Sequence, residues 1–119
     1  MGSEATTVGL APAAGLPDAA LAGEYRRARG ERCRWDARET EIAGEVERRG
    51  LARREGFAST TAWLMAVSGE PAAACRSQVA VASVLVDMPE TRQAFASGEL
   101  SPSRVRLLAH LRDCHQSTA

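Results

Sequence analysis

The sequence contains no lysine and no asparagine. All 15 of its basic groups are therefore arginines, and 15 acids balance them to a formal net charge of zero. That balance removes any whole-molecule attraction to nucleic acid. Arginine and alanine abundance also follows coding bias, so the number of guanidinium groups is not in itself a sign of phosphate binding. Cysteine is scarce: Cys33, Cys75 and Cys114 are far apart, odd in number and without a CxxC pair. Nothing in that suggests a disulfide framework, and a reduced, cytoplasmic setting is expected, with Cys33 and Cys75 as small buried hydrophobes. No apolar run approaches the ~18–20 residues that cross a bilayer, so no membrane partner is expected. The stretch before Arg26 holds Glu4 and no basic residue, unlike the charged start of a signal peptide. There is no GxGxxG, no P-loop and no paired-carboxylate arrangement, and hence no cofactor and no small-molecule substrate to expect.

What is there is helical. The 119 residues suit one domain with a core of its own. Residues 1–17, rich in Gly, Ala, Pro and Thr, read as a flexible N-terminal arm. Asp18 opens a helical stretch to Arg49, in which Leu21, Ala28, Trp35 and Ile42 recur every seven residues with Tyr25 and Val46 on the same stripe. That spacing predicts a packing seam. Arg32 and Glu39 interrupt it, which suits packing against helices of the same chain better than a coiled coil. Arginines precede both Gly30 and Gly50, and a basic last turn followed by glycine is a helix C-terminus. The helix is expected to end at Gly50 and to break or kink at Gly30. The alternative at Gly30 is one long helix weakened by ~1 kcal/mol.

A linker, "LARREGFAS", leads to Ser59 or Thr60 as N-cap of a short helix that Gly69 stops. The next stretch, "AAACRSQVAVASVLVDM", is apolar nearly all round and belongs in the middle of a bundle. Its valines would also suit a buried strand, but its length and alanine content favour helix. Pro89 opens a further short helix closed by Gly98, and Ser101-Pro102 opens the last. There Val105, Leu107, Leu108 and Leu111 are expected to be left partly uncovered, a patch that drives association. The fold expected is all-α: a bundle of about five helices with short loops over residues 18–112, followed by a tail at 113–119.

Three features in order carry a family resemblance. Arg49-Gly50 is followed by Gly56, Ser59 and Trp63-Leu64; Leu85 to Pro89 reads Leu-x-x-Met-Pro; and Gly98-Glu99-Leu100-Ser101 precedes the last helix. Over roughly residues 18–112 the chain resembles the domain-of-unknown-function 222 family, also called the 13E12 repeat family. That resemblance implies a helical domain of the kind that usually stands ahead of an HNH nuclease domain in proteins of GC-rich bacteria and their phages. The stretch "RGERCRWDARETE" is more charged than the family pattern, and Glu70-Pro71 replaces a Leu-Ser-Pro-like cap. Family domains also usually continue with more helices after the Ser101-Pro102 opening, so the chain reads as truncated there.

HNH chemistry needs a histidine base and metal ligands. The motif's asparagine is impossible here, and the two histidines, His110 and His115, stand near the C-terminus. A non-catalytic chain is therefore expected. His110 and Cys114 are four apart, a spacing that could start a zinc pair, but no second pair accompanies them. An incidental helix end is the plainer reading, and no metal is expected.

The helices around Gly69 invite a helix-turn-helix reading, with residues 72–86 as recognition helix. Apart from Arg76, Ser77 and Gln78 that helix is apolar, which argues for a core position instead. Arginine is concentrated elsewhere: ten of the fifteen lie between Arg26 and Arg54, against six acids. Arg26, Arg27, Arg29, Arg32 and Arg34 are the densest group, and Arg104, Arg106 and Arg112 add a second basic face. Guanidinium forks suit phosphate oxygens, so these residues are the candidates for contact with a DNA backbone. Surface pairing with Glu24, Glu31, Asp36 and Glu39 is the alternative, and the sequence alone favours it. The partners to consider are thus DNA phosphates, or a helical protein partner including a second copy of the chain.

Overall fold

The computed structural model describes residues 12–118. After a short 3-10 turn at Ala13–Gly15, six helices follow: α1 (Asp18–Arg49), α2 (Leu51–Arg54), α3 (Thr60–Ser68), α4 (Ala72–Leu85), α5 (Pro89–Ala96) and α6 (Pro102–Thr118). There is no strand among the described residues, so the all-α expectation holds. Most of the expected arm, residues 1–11, lies outside the described residues. The last helix continues past Arg112 to Thr118, through most of the stretch expected as a tail.

Local chemistry sets the helix ends. Gly50 adopts φ 64°, and its N–H donates to the carbonyls of Val46 and Glu47, closing α1 in the left-handed conformation that glycine tolerates. The Ser59 side chain accepts from the Ala62 N–H at 3.1 Å and caps α3. Ser101 does the same for α6, taking the Arg104 N–H at 3.3 Å. The linker after Gly50 is not wholly irregular: α2 is a single turn that buries Ala52. Four residues are too few to show a period, which is why the sequence hid it.

Two expectations about α1 are corrected. Gly30 does not break it, and the helix runs continuously for 32 residues. At ~1.5 Å per residue it is ~48 Å long, which accounts for the 52 Å long axis of the molecule. The larger correction concerns its packing face. Of the predicted seam only Val46 is buried, while Leu21, Tyr25, Trp35 and Ile42 are exposed, Trp35 by 70% and Tyr25 by 67%. The buried positions between Cys33 and Ala43 are small: Cys33, Ala37, Thr40 and Ala43. At ~100° per residue the face centred on Cys33 and Ala37 lies about 140° around the axis from the seam.

Small residues win because they let helix backbones approach closely. A Cβ built on Gly44 would stand 3.1 Å from the Ala82 Cβ, so α1 and α4 cross there without room for a large side chain. A second close approach joins the α5–α6 turn to α1, where a Cβ on Gly98 would lie 3.0 Å from the Gly30 carbonyl oxygen.

Helix α4 packs against α1, α3, α5 and α6, the central place its apolar sequence predicts. One core cluster gathers Ala37, Val81, Leu85, Phe95, Val105 and Ala109; a second joins Ala43, Leu64 and Cys75. Val105, expected to be partly uncovered, is instead 1% exposed, whereas Leu107, Leu108 and Leu111 are exposed as expected. Cys33 and Cys75 are buried. No side chain before Cys33 in α1 is buried, and ahead of the close approach at Gly30 about three turns of that helix stand clear of the core.

Candidate functional site

The arginines expected to meet phosphate are all exposed: Arg26, Arg27, Arg29, Arg32 and Arg34 on α1, Arg104 and Arg106 on α6. Among the described residues only Arg27 of the α1 group has a carboxylate within 4.0 Å, Glu24 at 3.8 Å. The predicted pairing with Glu31, Asp36 and Glu39 is not made. The acids and arginines that do pair lie further along α1. Arg38 meets Glu41 at 2.9 Å, and Arg48 and Arg49 both hold Glu45, Arg49 at 2.7 Å. Hydrogen bonds from Arg48 and then Arg49 hold the Glu45 carboxyl at about 2, below its ordinary 4.5.

The arginines do not form one face. Around α1, Arg26, Arg29 and Arg34 spread over more than a third of a turn, while Arg32 falls on the apolar stripe of Leu21, Tyr25, Ala28 and Trp35. Arg104 and Arg106 are about 200° apart on α6, flanking the buried Val105 instead of sharing a basic face. Arg112 is half-buried and donates to the Asp87 carbonyl at 3.2 Å, a structural role. The fold does unite Arg32 and Arg106, which line one groove of about 650 Å³ with Trp35, Glu39 and Gln78.

A larger cleft of about 1090 Å³ lies between α1, α4 and α5. Arg34, Arg38, Arg48 and Arg92 line it together with Glu41, Glu45 and Asp87, above Ala82 and Phe95. Arg92 entered no sequence motif, and only the fold carries it to Arg34's side of α1. Charges of both signs alternate around this cleft, so it has no single electrostatic preference.

The remaining sequence candidates are also placed. Helix α4 buries Cys75, Val81, Ala82 and Leu85, so it cannot leave the core to enter a DNA groove as a recognition helix. His110 Nε2 and Cys114 Sγ are 3.5 Å apart on the exposed side of α6. The side chain of His115 lies outside the described residues. Among the described residues no group of three or more His, Cys, Asp or Glu could hold a metal ion. None of the described helices is long and apolar enough to cross a membrane. No family model, curated protein or solved structure matches the chain.

Proposed function

We infer that the chain is a non-catalytic helical accessory module that touches the phosphate backbone of DNA through the projecting half of α1. The reading rests on one observation: Arg26 and Arg29 are exposed on α1 ahead of its first buried side chain, Arg34 is exposed just beyond it, and none of the three has a carboxylate within 4.0 Å among the described residues. A guanidinium without an internal partner keeps its fork for an external oxyanion. Resemblance to the 13E12 repeat family fits this role, since such a domain would stand beside a nuclease and help to place it on its substrate. The contact is to the backbone and not to bases. The arginines are spread around one helix and no recognition helix accompanies them, so sequence selectivity is not expected. Arg106, beside the groove that Arg32 also lines, extends the contact toward α6.

Filter binding of duplex DNA at two salt concentrations tests this. Each phosphate neutralised contributes ~0.9 to the slope of log affinity against log salt. The variant Arg26→Ala/Arg29→Ala/Arg34→Ala should bind more weakly and lose about two to three from that slope, whatever the DNA sequence. Salt-independent binding, or a slope that the triple variant leaves unchanged, overturns the assignment.

A further inference from the structure

We propose that the outer stripe of α1 is a self-association seam on which a second copy of this chain docks antiparallel. Leu21, Tyr25, Ala28, Arg32, Trp35, Glu39 and Ile42 follow one another in alternating steps of four and three residues. That is the spacing of a two-helix seam. All seven are exposed, and from Cys33 to Thr40 the body of the molecule packs on a different face of the helix. The fold covers the stripe only at its next member, Val46, and leaves it open from Leu21 to Ile42, so its natural occupant is another helix of matching pattern.

Charge selects which helix and in which direction. Arg32 and Glu39 are the two charged residues on the stripe, and neither has an opposite charge within 4.0 Å among the described residues. A parallel pair in register would set Arg32 against Arg32 and Glu39 against Glu39, and like charges face to face are unfavourable. Turning the second copy about an axis near Trp35 sets the Arg32 of each copy beside the Glu39 of the other. The same rotation stacks Trp35 on Trp35 and lays Ile42 over the small Ala28. The contact is isologous and closes on itself as a twofold dimer.

The surface available matches what such a contact needs. An aromatic side chain buries ~150–250 Å², so Tyr25 and Trp35 from two copies supply roughly 600 Å². Leu21, Ala28, Ile42 and the stems of Arg32 and Glu39 bring the total toward the ~1,200 Å² at which specific interfaces begin. The groove beside Trp35, about 650 Å³, offers a recess for side chains of the incoming helix.

A charge-swap cycle followed by light scattering across a micromolar concentration series tests both occupant and direction. The wild-type chain should dimerise. Arg32→Glu and Glu39→Arg should each weaken the dimer ~10-fold or more, and the double swap should return it to within about threefold of wild type. Trp35→Ala should abolish it. Both swapped residues are exposed, so circular dichroism of all variants should superimpose on that of the wild type. A wild-type chain that stays monomeric throughout overturns the proposal. So does a double swap no better than the single ones, or an Arg32→Glu variant that dimerises as well as wild type, as a parallel pair would. None of these readouts depends on DNA, so the seam stands or falls apart from the phosphate contact.

Discussion

Three glycines offer an internal test of how α1 meets the turn between α5 and α6. Gly98 has φ +87°, and an added Cβ would meet the Gly30 carbonyl oxygen at 3.0 Å and the Arg34 Cγ at 3.3 Å. Alanine there incurs the left-handed strain, ~1–2 kcal/mol. It must also push a helix backbone away, costing a further ~1–2 kcal/mol as overpacking does. Gly50 has nearly the same conformation, φ +64°, with nothing within 4 Å of an added Cβ. Its alanine variant should lose the ~1–2 kcal/mol of strain alone. Gly30 sits inside a continuous helix, where the nearest atom to a Cβ would be the flexible Arg34 guanidinium at 3.7 Å. Gly30→Ala should therefore gain ~0.5–1 kcal/mol from helix propensity. Urea unfolding would read these as about 2–4 lost, 1–2 lost and 0.5–1 gained, in that order, with m unchanged. Equal losses at Gly98 and Gly50 would show that the close approach to α1 contributes nothing. A loss at Gly30 comparable to that at Gly98 would mean that α1 needs a flexible point there, and the account of a continuous helix would be wrong.

Two further outcomes probe the core and the surface charges. Val105 is the largest fully buried side chain among the described residues, and Val105→Ala should lower stability by ~2 kcal/mol in urea unfolding; a loss under about 0.5 would place it outside the core. Glu45, held at about 2 by Arg48 and Arg49 against an ordinary 4.5, contributes stability that is present above 4.5 and lost as pH falls toward 2. Its partners are exposed, so the contribution is small and screened by salt. Glu45→Gln should flatten the acid limb of stability in that window at low ionic strength, and acid limbs that run parallel in variant and wild type would refute the pairing.

Helix boundaries were legible because they rest on near neighbours in sequence. Gly50, Ser59, Gly69 and Ser101 act through backbone groups within a few residues of themselves, and each ends or caps a helix where its chemistry says it should. The same locality made the central place of α4 readable, since a helix apolar on all sides has nowhere else to go. The packing face of α1 was not legible, because two faces compete in its sequence. One carries large apolar residues at seven-residue spacing; the other carries Cys33, Ala37, Thr40 and Gly44 at spacings of four, three and four. The choice between them depends on how near α4 can come, a distance set by Gly44 and Ala82 and invisible in either helix alone. The second basic face expected of Arg104, Arg106 and Arg112 did not form for a related reason. Clustering in sequence does not imply a shared face on a helix, and Arg104 and Arg106, two residues apart, point to opposite sides of Val105.

This competition explains why residues that look like core material can be free for another use. Had Trp35 been part of the interior, Trp35→Ala would cost the fold ~3–5 kcal/mol. At 70% exposure the same change should alter the stability of the isolated chain by no more than about 0.5 kcal/mol. Its effect should appear almost wholly in association. The fold thus closes through small side chains, and its two most exposed aromatics, Tyr25 and Trp35, remain outside the core. Such a surface is unfavourable in water, and burying it is the step that folding leaves undone. A stripe carrying one cation and one anion, each without an internal partner, cannot bury itself well against a purely apolar helix, because both charges would be stranded. It can do so against its own reversed copy, where each charge meets its opposite and the aromatics stack between them.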